Sequence, residues 1–304
     1  MEDLWKKIPE FPQLKEFSLE EKPLIEEAFN KFPPVISEFT FTNLFIWRHA
    51  YQLKISHLNN FVCLLSDKGA QSFFFPPIGE GDRIECSRIL LHWLKEQGIH
   101  PKIARVPESI ITQIHWDGTG LRADLDRDQS DYLYLAEDLI KLQGRKYHRK
   151  RNHIKQFKEK YSYQYLSLTP KWISECLRLE TEWCDLRHCE VVPGLANESM
   201  AIKESLTHFD QLNIKGGAIL IDGKLEAFTL GEPLNPETVV IHIEKANPAF
   251  EGLYPLINQA FLENEWSGCL YVNREQDLGE EGLRKAKESY FPHHMIHKYT
   301  ITLA

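Results

Sequence analysis

A chain of 304 residues with 42% hydrophobic and 26% charged residues is long enough for two ordinary domains and has the balance of a soluble globular protein. The formal net charge of −8 excludes an evenly basic nucleic-acid binder, and no apolar run approaches the roughly 20 residues that a membrane helix needs. The opening MEDLWKKIPE has no apolar signal core, so a cytoplasmic location without an integral membrane segment is expected. Six cysteines (63, 86, 176, 184, 189 and 269) form no CxxC pair and sit mostly among apolar neighbours, which predicts reduced core thiols.

Ser18 and Glu21 form a capping-box pair ahead of a helix carrying Leu24, Ile25, Ala28 and Phe29, and an aromatic-rich helix is predicted over Thr40 to Ala50. The period then changes to two. Tyr51 to Leu58, a turn at Asn59-Asn60, Phe61 to Ser66 and Gln71 to Phe75 read as a three-strand meander. Asp82 with Glu85 caps a strong helix ended by Gly98. A strand over Ile99 to Val106 follows, then a short helix from Pro107, a polar turn-rich stretch over Asp117 to Ser130, and a strand over Tyr132 to Leu135.

The middle of the chain is a basic helix pair, Glu137 to Leu142 and Lys146 to Tyr161, broken at Gly144. From Lys141 to Lys160 there are nine Lys or Arg against the single acid Glu159. The segment therefore carries +8 and the rest of the chain −16, a local anion site on an acidic body. An ordinary exposed helix interleaves signs; this one reads as an anion-binding face, with Arg145, Lys146, Arg149, Lys150 and Arg151 as its candidate contacts.

The second half opens with a strand, YQYLSL, and a helix launched by Thr169-Pro170 with Ile173, Cys176, Leu177 and Trp183. A loop at Pro193-Gly194 leads to a helix over roughly Glu198 to Asp210. Gly217 to Ile221 and Lys224 to Leu230 flank the Asp222-Gly223 hairpin turn. Thr238 to Glu244 reads as a buried strand, and Asn247 with Pro248 as the cap and first position of a helix burying Leu253, Leu256, Ile257, Ala260 and Phe261. Cys269 to Val272 returns as a strand ending in a polar cluster, a helix after Gly279 carries Leu283, Ala286 and Tyr290, and Met295 to Leu303 is the last strand.

Each half thus reads as helices, a meander, then helix, strand, helix, strand. That order in duplicate predicts two copies of one α+β fold, each a mixed sheet whose third meander strand feeds a helix N-terminus, the layout of the GNAT acyltransferase fold. The expected division is residues 1–136, a basic connection over 137–161, and residues 162–304 with the active cleft. The segments GRKYHRKRNHIKQF (Gly144 to Phe157) and NREQDLGEEGLRKAKESYFPHHMIHKY (Asn273 to Tyr299) resemble the cytosolic C-terminal domain of phosphatidylglycerol lysyltransferases and the soluble, uncharacterised bacterial proteins that share only this domain. The resemblance implies a tandem GNAT fold and, in the membrane-anchored members, transfer of an aminoacyl group from aminoacyl-tRNA to a lipid headgroup.

Acyl transfer to an amine or hydroxyl needs a base, an acid for the leaving group, and donors to the oxyanion. His242 and Glu244 share one face of a strand, and Glu244, nearer its end, is the preferred base, with Asp277 as the alternative and Tyr290 as the acid. Asn273, Glu275, Arg284, Lys287 and Lys298 are further candidates for substrate and phosphate contacts. An acyl-CoA enzyme of this fold carries an Arg/Gln-x-x-Gly-x-Gly/Ala turn whose N–H groups hold the pyrophosphate. Here Asn247-Pro248-Ala249-Phe250-Glu251-Gly252 matches only at Gly252. Asn247, Gly252 and Tyr254 are the candidate donor-binding residues, the donor being acyl-CoA or aminoacyl-tRNA, with no tightly bound cofactor. The acceptor is a small amine or an anionic lipid headgroup. His293, His294 and His297 lack a spaced carboxylate or cysteine, so no metal is expected. The competing class is a non-catalytic anion-binding module that keeps the tandem fold, supported by the degraded turn.

Overall fold

The computed structural model describes residues 7–304; the first six residues of the segment read for a signal lie outside the described residues. In chain order the α-helices are α1 (Lys22–Lys31), α2 (Phe41–Ile46), α3 (Arg48–Tyr51), α4 (Arg83–Glu96), α5 (Glu108–Ile111), α6 (Ala136–Lys141), α7 (His148–Lys160), α8 (Ile173–Arg187), α9 (Pro193–Thr207), α10 (Phe209–Leu212), α11 (Leu253–Glu265) and α12 (Glu281–Glu288). None among the described residues is long and apolar enough to cross a membrane. The strands are β1 (Lys15–Glu16), β2 (Leu53–Leu58), β3 (Phe61–Ser66), β4 (Phe73–Phe74), β5 (Ile78–Gly79), β6 (Lys102–Pro107), β7 (Leu121–Leu125) and β8 (Asp131–Leu135). They continue as β9 (Tyr163–Ser167), β10 (Lys215–Ile221), β11 (Lys224–Asn235), β12 (Thr238–Ala246), β13 (Tyr271–Asn273), β14 (His294–Ile296) and β15 (Lys298–Leu303).

These strands make two mixed sheets of the same design. The first runs β1-β2-β3-β4-β6-β15-β7 with β5 on β3, and the second runs β9-β10-β11-β12-β13-β8-β14. Each has an antiparallel meander, then one parallel step (β4 to β6, β12 to β13), reached through α4 in one case and α11 in the other. A parallel neighbour needs such a crossover helix. This is the tandem GNAT-like α+β architecture expected from the sequence. The chain divides into two compact units, Met1–Asp131 with Gln276–Glu280 and Met295–Ala304, and Tyr132–Glu275 with Glu281–His294.

One expectation is corrected by the topology. The strand near Tyr132 lies in the second sheet as β8, and the last strand of the chain, β15, lies in the first. Leu121–Leu125, expected as turn-rich, is the edge strand β7 that pairs with β15. Alternation along a strand says which face is buried but not which sheet it joins.

Local chemistry accounts for most boundaries. The Ser18–Glu21 capping box is present. Thr40 accepts from Asn43 N–H at 3.0 Å and Asp82 from Glu85 N–H at 2.9 Å. Asn59 (φ +52°) and Asp222-Gly223 (φ +51° and +82°) supply the positive dihedrals of tight hairpins. The first core gathers Phe61, Phe74, Leu90, Ile103 and Ile301, the second Tyr147, Phe157, Ile219, Leu253 and Ile257. Each fully buried large side chain contributes roughly 1.5–3 kcal/mol.

Cys184 and Cys189 are joined as a disulfide, against the expectation of six thiols. His188, left-handed at φ +53°, ends α8 and turns the chain so that the two Cα atoms come within 5.0 Å. Cys63, Cys86, Cys176 and Cys269 are free.

Candidate active site

The second unit holds the densest set of the expected residues, and α7 shows how the sequence places them. Leu142 ends α6 in the left-handed region and Gly144 follows at φ +86°. Arg151 reaches back to the carbonyls of Leu142 and Gly144, the latter at 2.8 Å, and closes this turn. From there Tyr147, Ile154 and Phe157 are buried against α11, leaving Arg145, Arg149, Arg151, Lys155 and Lys158 exposed. Lys146 is tied to Asp138 at 3.1 Å and Lys155 to Glu159 at 3.6 Å, whereas Arg145 and Arg149 have no acidic partner among the described residues.

Lys150 is the exception on this helix. It lies three residues after Tyr147 and four before Ile154, which puts it beside the buried stripe. Its ammonium sits 3.9 Å from the centroid of the Tyr290 ring. Burial first, then the charges of Arg274 and Arg149, lower it to about 8 against the pull of Glu244.

Glu244 on β12 accepts from Arg274 Nη2 at 3.1 Å and from Asn258 Nδ2 of α11 at 2.9 Å. Arg274 follows β13, and its guanidinium lies 4.7 Å from the Tyr290 ring centroid. Burial pushes the Tyr290 phenol up to about 12, with Arg274 pulling the other way. Arg274 Nη1 is buried without a hydrogen-bond partner. The frame around this cluster is tight. Tyr147 Oη donates to the Tyr290 carbonyl at 2.9 Å, Tyr134 Oη to that of Lys287 at 2.8 Å, and Lys287 Nζ to that of Arg274.

Beside it, β11 and β12 slip register, so that Leu230 pairs Ile243 and Gly231 pairs Ile241. His242 is the extra residue of this bulge, a device that re-aims a side chain. Its imidazole is held at 2.9 Å by Glu232 on one nitrogen and at 2.9 Å by Glu275 on the other. Burial alone would lower its pKa, but the bonds and charges of the two carboxylates override this and raise it to about 9. Glu275 is itself left-handed (φ +57°), with its N–H on Asn273 Oδ1 at 2.8 Å. His242 therefore carries its proton at neutral pH and has no lone pair to offer.

Asn247 does not cap α11. Its Oδ1 takes the Ala249 N–H at 3.0 Å in an Asx turn and its Nδ2 donates to Glu226 at 2.7 Å, while the helix starts five residues later from Gly252 (φ +90°). A β-carbon on Gly252 would lie 2.5 Å from the His153 carbonyl oxygen, so α7 passes directly over this helix start. Leu253 N–H is spent on Phe250 O and Pro255 has none. Tyr254 Oη accepts from Trp183 Nε1 at 3.1 Å.

A family model described as phosphatidylglycerol lysyltransferase, C-terminal, matches residues 29–302. The chain belongs to this family. A conserved protein of unknown function from Bacteroides thetaiotaomicron VPI-5482 is 34% identical, over 98% of this chain and 100% of that one, with a TM-score of 0.87. The C-terminal domain of a putative lysylphosphatidylglycerol synthetase from Agrobacterium fabrum shares the fold at 13% identity, over 94% of this chain and 93% of that one, TM-score 0.66. L-PGS from Bacillus licheniformis does so at 14% identity, over 97% and 93%, TM-score 0.63. No curated protein matches the chain.

In this member of the lysyltransferase family, two expected site residues belong to the first unit. Asp277 is fully buried, accepting from Arg127 at 3.0 Å and from Gly279 N–H at 2.9 Å. Lys298 is fully buried, 2.5 Å from Glu38, 2.6 Å from Asp131 and 3.5 Å from Ser37 Oγ. Arg284 lies half-buried on α12. Sequence reasoning missed Glu38 and Arg105, which sit 3.4 Å apart beside Lys298. Arg105 is left-handed (φ +65°) at a bulge where β6 opposes β15, and nothing in the local pattern announces it. Arg274 stood in the quoted motif, and only its buried setting marks it out. For Lys150 the signal was present in its helical phase.

Proposed function

We propose that the second unit is an acyl-transfer site that moves an aminoacyl group from aminoacyl-tRNA to an amine or hydroxyl acceptor. The observation that carries this reading is the largely buried Arg274 guanidinium with an unfilled N–H, set beside the ring of the Tyr290 phenol. Two fixed donors of that kind are what the developing oxyanion of acyl transfer requires, in a site from which water is withdrawn. Glu244, with both oxygens engaged, orients Arg274. Tyr290, still protonated at neutral pH, gives its proton to the leaving oxygen.

The donor follows from the helix start. A CoA pyrophosphate needs a fan of free N–H groups, and at α11 one is spent, one is missing and Gly252 is covered by α7. The exposed basic face of α7 suits the phosphates of tRNA instead. Family membership makes the phosphatidylglycerol headgroup the first acceptor to try and leaves small amines as the second.

The test is transfer of radiolabel from lysyl-tRNA, and from a mixed aminoacyl-tRNA pool, to phosphatidylglycerol vesicles or to ethanolamine. Wild-type protein should transfer to one acceptor. Arg274→Met and Tyr290→Phe should each lower kcat, the former by about 10²–10³-fold, with aminoacyl-tRNA affinity within a few-fold. Transfer from acetyl-CoA alone would overturn the donor, and tRNA binding without any transfer would leave an anion-binding module.

A further inference from the structure

The second unit has its oxyanion donors and its acid, and the carboxylate expected as base is committed elsewhere, since both Glu244 oxygens are hydrogen-bonded to Arg274 and Asn258. We propose that Lys150 accepts the proton lost by the attacking amine or hydroxyl, making a lysine amine on the basic helix the general base of the transfer. This rests on the acyltransferase reading above.

Among the basic residues of α7, Lys150 sits beside the buried stripe and over the ring of Tyr290, at 3.9 Å from its centroid. It is therefore next to the Tyr290 phenol and the Arg274 guanidinium that would hold the carbonyl oxygen. Its neighbours Lys141, Lys146 and Lys155 have carboxylate partners, and Lys150 has no hydrogen-bonded acid among the described residues.

The groups facing Lys150 are Arg149 from its own helix, Arg274 from the end of β13, Glu244 from β12 and the Tyr290 ring from the segment after α12. Two cations and burial disfavour the ammonium, while Glu244 and the ring face favour it. The balance falls at about 8, so near neutrality a usable fraction is free amine, and the conjugate acid is acidic enough to release its proton after turnover. That is the range in which a general base works best at physiological pH.

The step balances without a metal or redox partner. The nucleophile's N–H or O–H bond breaks, its electron pair closes on the acyl carbon, and its proton goes to Lys150 Nζ. The ester bond to the ribose oxygen then breaks, and that oxygen takes the Tyr290 phenol proton. The ammonium returns one proton to the phenolate through solvent, which restores both groups.

The experiment has one arm independent of turnover. Competitive labelling of the full chain with an amine-selective reagent across pH, read by mass spectrometry, should show Lys150 titrating near pH 8; titration at the ordinary lysine value of 10.5 would overturn the proposal. In the kinetic arm, Lys150→Arg keeps the charge and removes the base. It should lower kcat by about 10²–10³-fold, with tRNA affinity within about threefold, and small primary amines should restore rate to Lys150→Ala in order of their basicity. Wild-type kcat in Lys150→Arg, or a loss confined to tRNA affinity, would assign Lys150 to phosphate binding. Absence of transfer by the wild type would overturn the acyltransferase reading itself, and the base assignment with it.

Discussion

Two lysines, one in each unit, show opposite ways of burying an ammonium. Lys298 is fully enclosed with Glu38, Asp131 and Ser37 supplying an oxygen to each of its three donors. Lys150 is half-buried with the face of Tyr290 and two guanidiniums for company. The first arrangement matches each charge with a partner, so that removing either sign leaves the other stranded in a medium that cannot solvate it. The second leaves the proton loosely held. The difference teaches that the two copies of one fold use buried charge differently, the first unit's Lys298 tying β6, β8 and β15 residues together and the second unit's Lys150 lying beside the proposed site without a carboxylate partner among the described residues.

The comparison can be broken most decisively at Lys298. Lys298→Met leaves Glu38, already pushed up by burial and by Asp131 against the pull of Lys298, without its nearest cation; stability in urea should fall by about 3–5 kcal/mol. Adding Glu38→Gln to that variant should recover part of the loss. An unchanged midpoint for Lys298→Met would remove the contrast between the two lysines.

His242 gives the next effect. Its pKa is raised to about 9 from an ordinary 6.5, so the folded state binds the extra proton. The resulting stabilisation is complete below pH 6.5, is lost as pH rises toward 9, and amounts to about 3 kcal/mol. His242→Gln should abolish this slope in urea denaturation measured from pH 6 to 9.5. The opposite slope from Lys150 should then stand alone: lowered to about 8 from 10.5, it makes the fold gain stability as pH rises between those values. A His242→Gln protein with the wild-type slope would show that the two carboxylates do not hold the imidazolium.

The smallest effect concerns the exposed face of α7. Arg145→Ala with Arg149→Ala should weaken tRNA binding and flatten the dependence of log affinity on log salt by roughly 1.5, at about 0.7–0.9 per phosphate contact. An unchanged slope in filter binding would separate the basic run from the donor.

Much of the fold was legible because its determinants are local. The Ser18 and Asp82 caps, the Asn59 and Asp222-Gly223 turns, and the apolar stripe of Leu253, Leu256, Ile257, Ala260 and Phe261 each depend on residues within a few positions of one another. The misses are of two kinds. Asn247-Pro248 carries the chemistry of a helix cap, and the same Asn oxygen closes an Asx turn instead, two outcomes that local sequence leaves equal. The partner of a strand, and the alliance of Glu38 with Lys298 across 260 positions, are set by topology. Of the proposed site, Glu244 lies on the strand expected for it and Tyr290 falls just past the helix expected to carry it, while the roles argued for Arg274, Lys150 and His242 depend on burial and on which charges face them.

The exchange of β8 and β15 has a consequence for synthesis. A domain made early on the ribosome ordinarily closes its core while the rest of the chain is still emerging. Here the strand between β6 and β7 is residues 298–303, so the first sheet stays open along that gap until those residues have emerged. Nascent chains of the first 131 residues should expose two unpaired strand edges and attract chaperones, and a premature stop anywhere before residue 298 would cost the first unit its integrity as surely as the second.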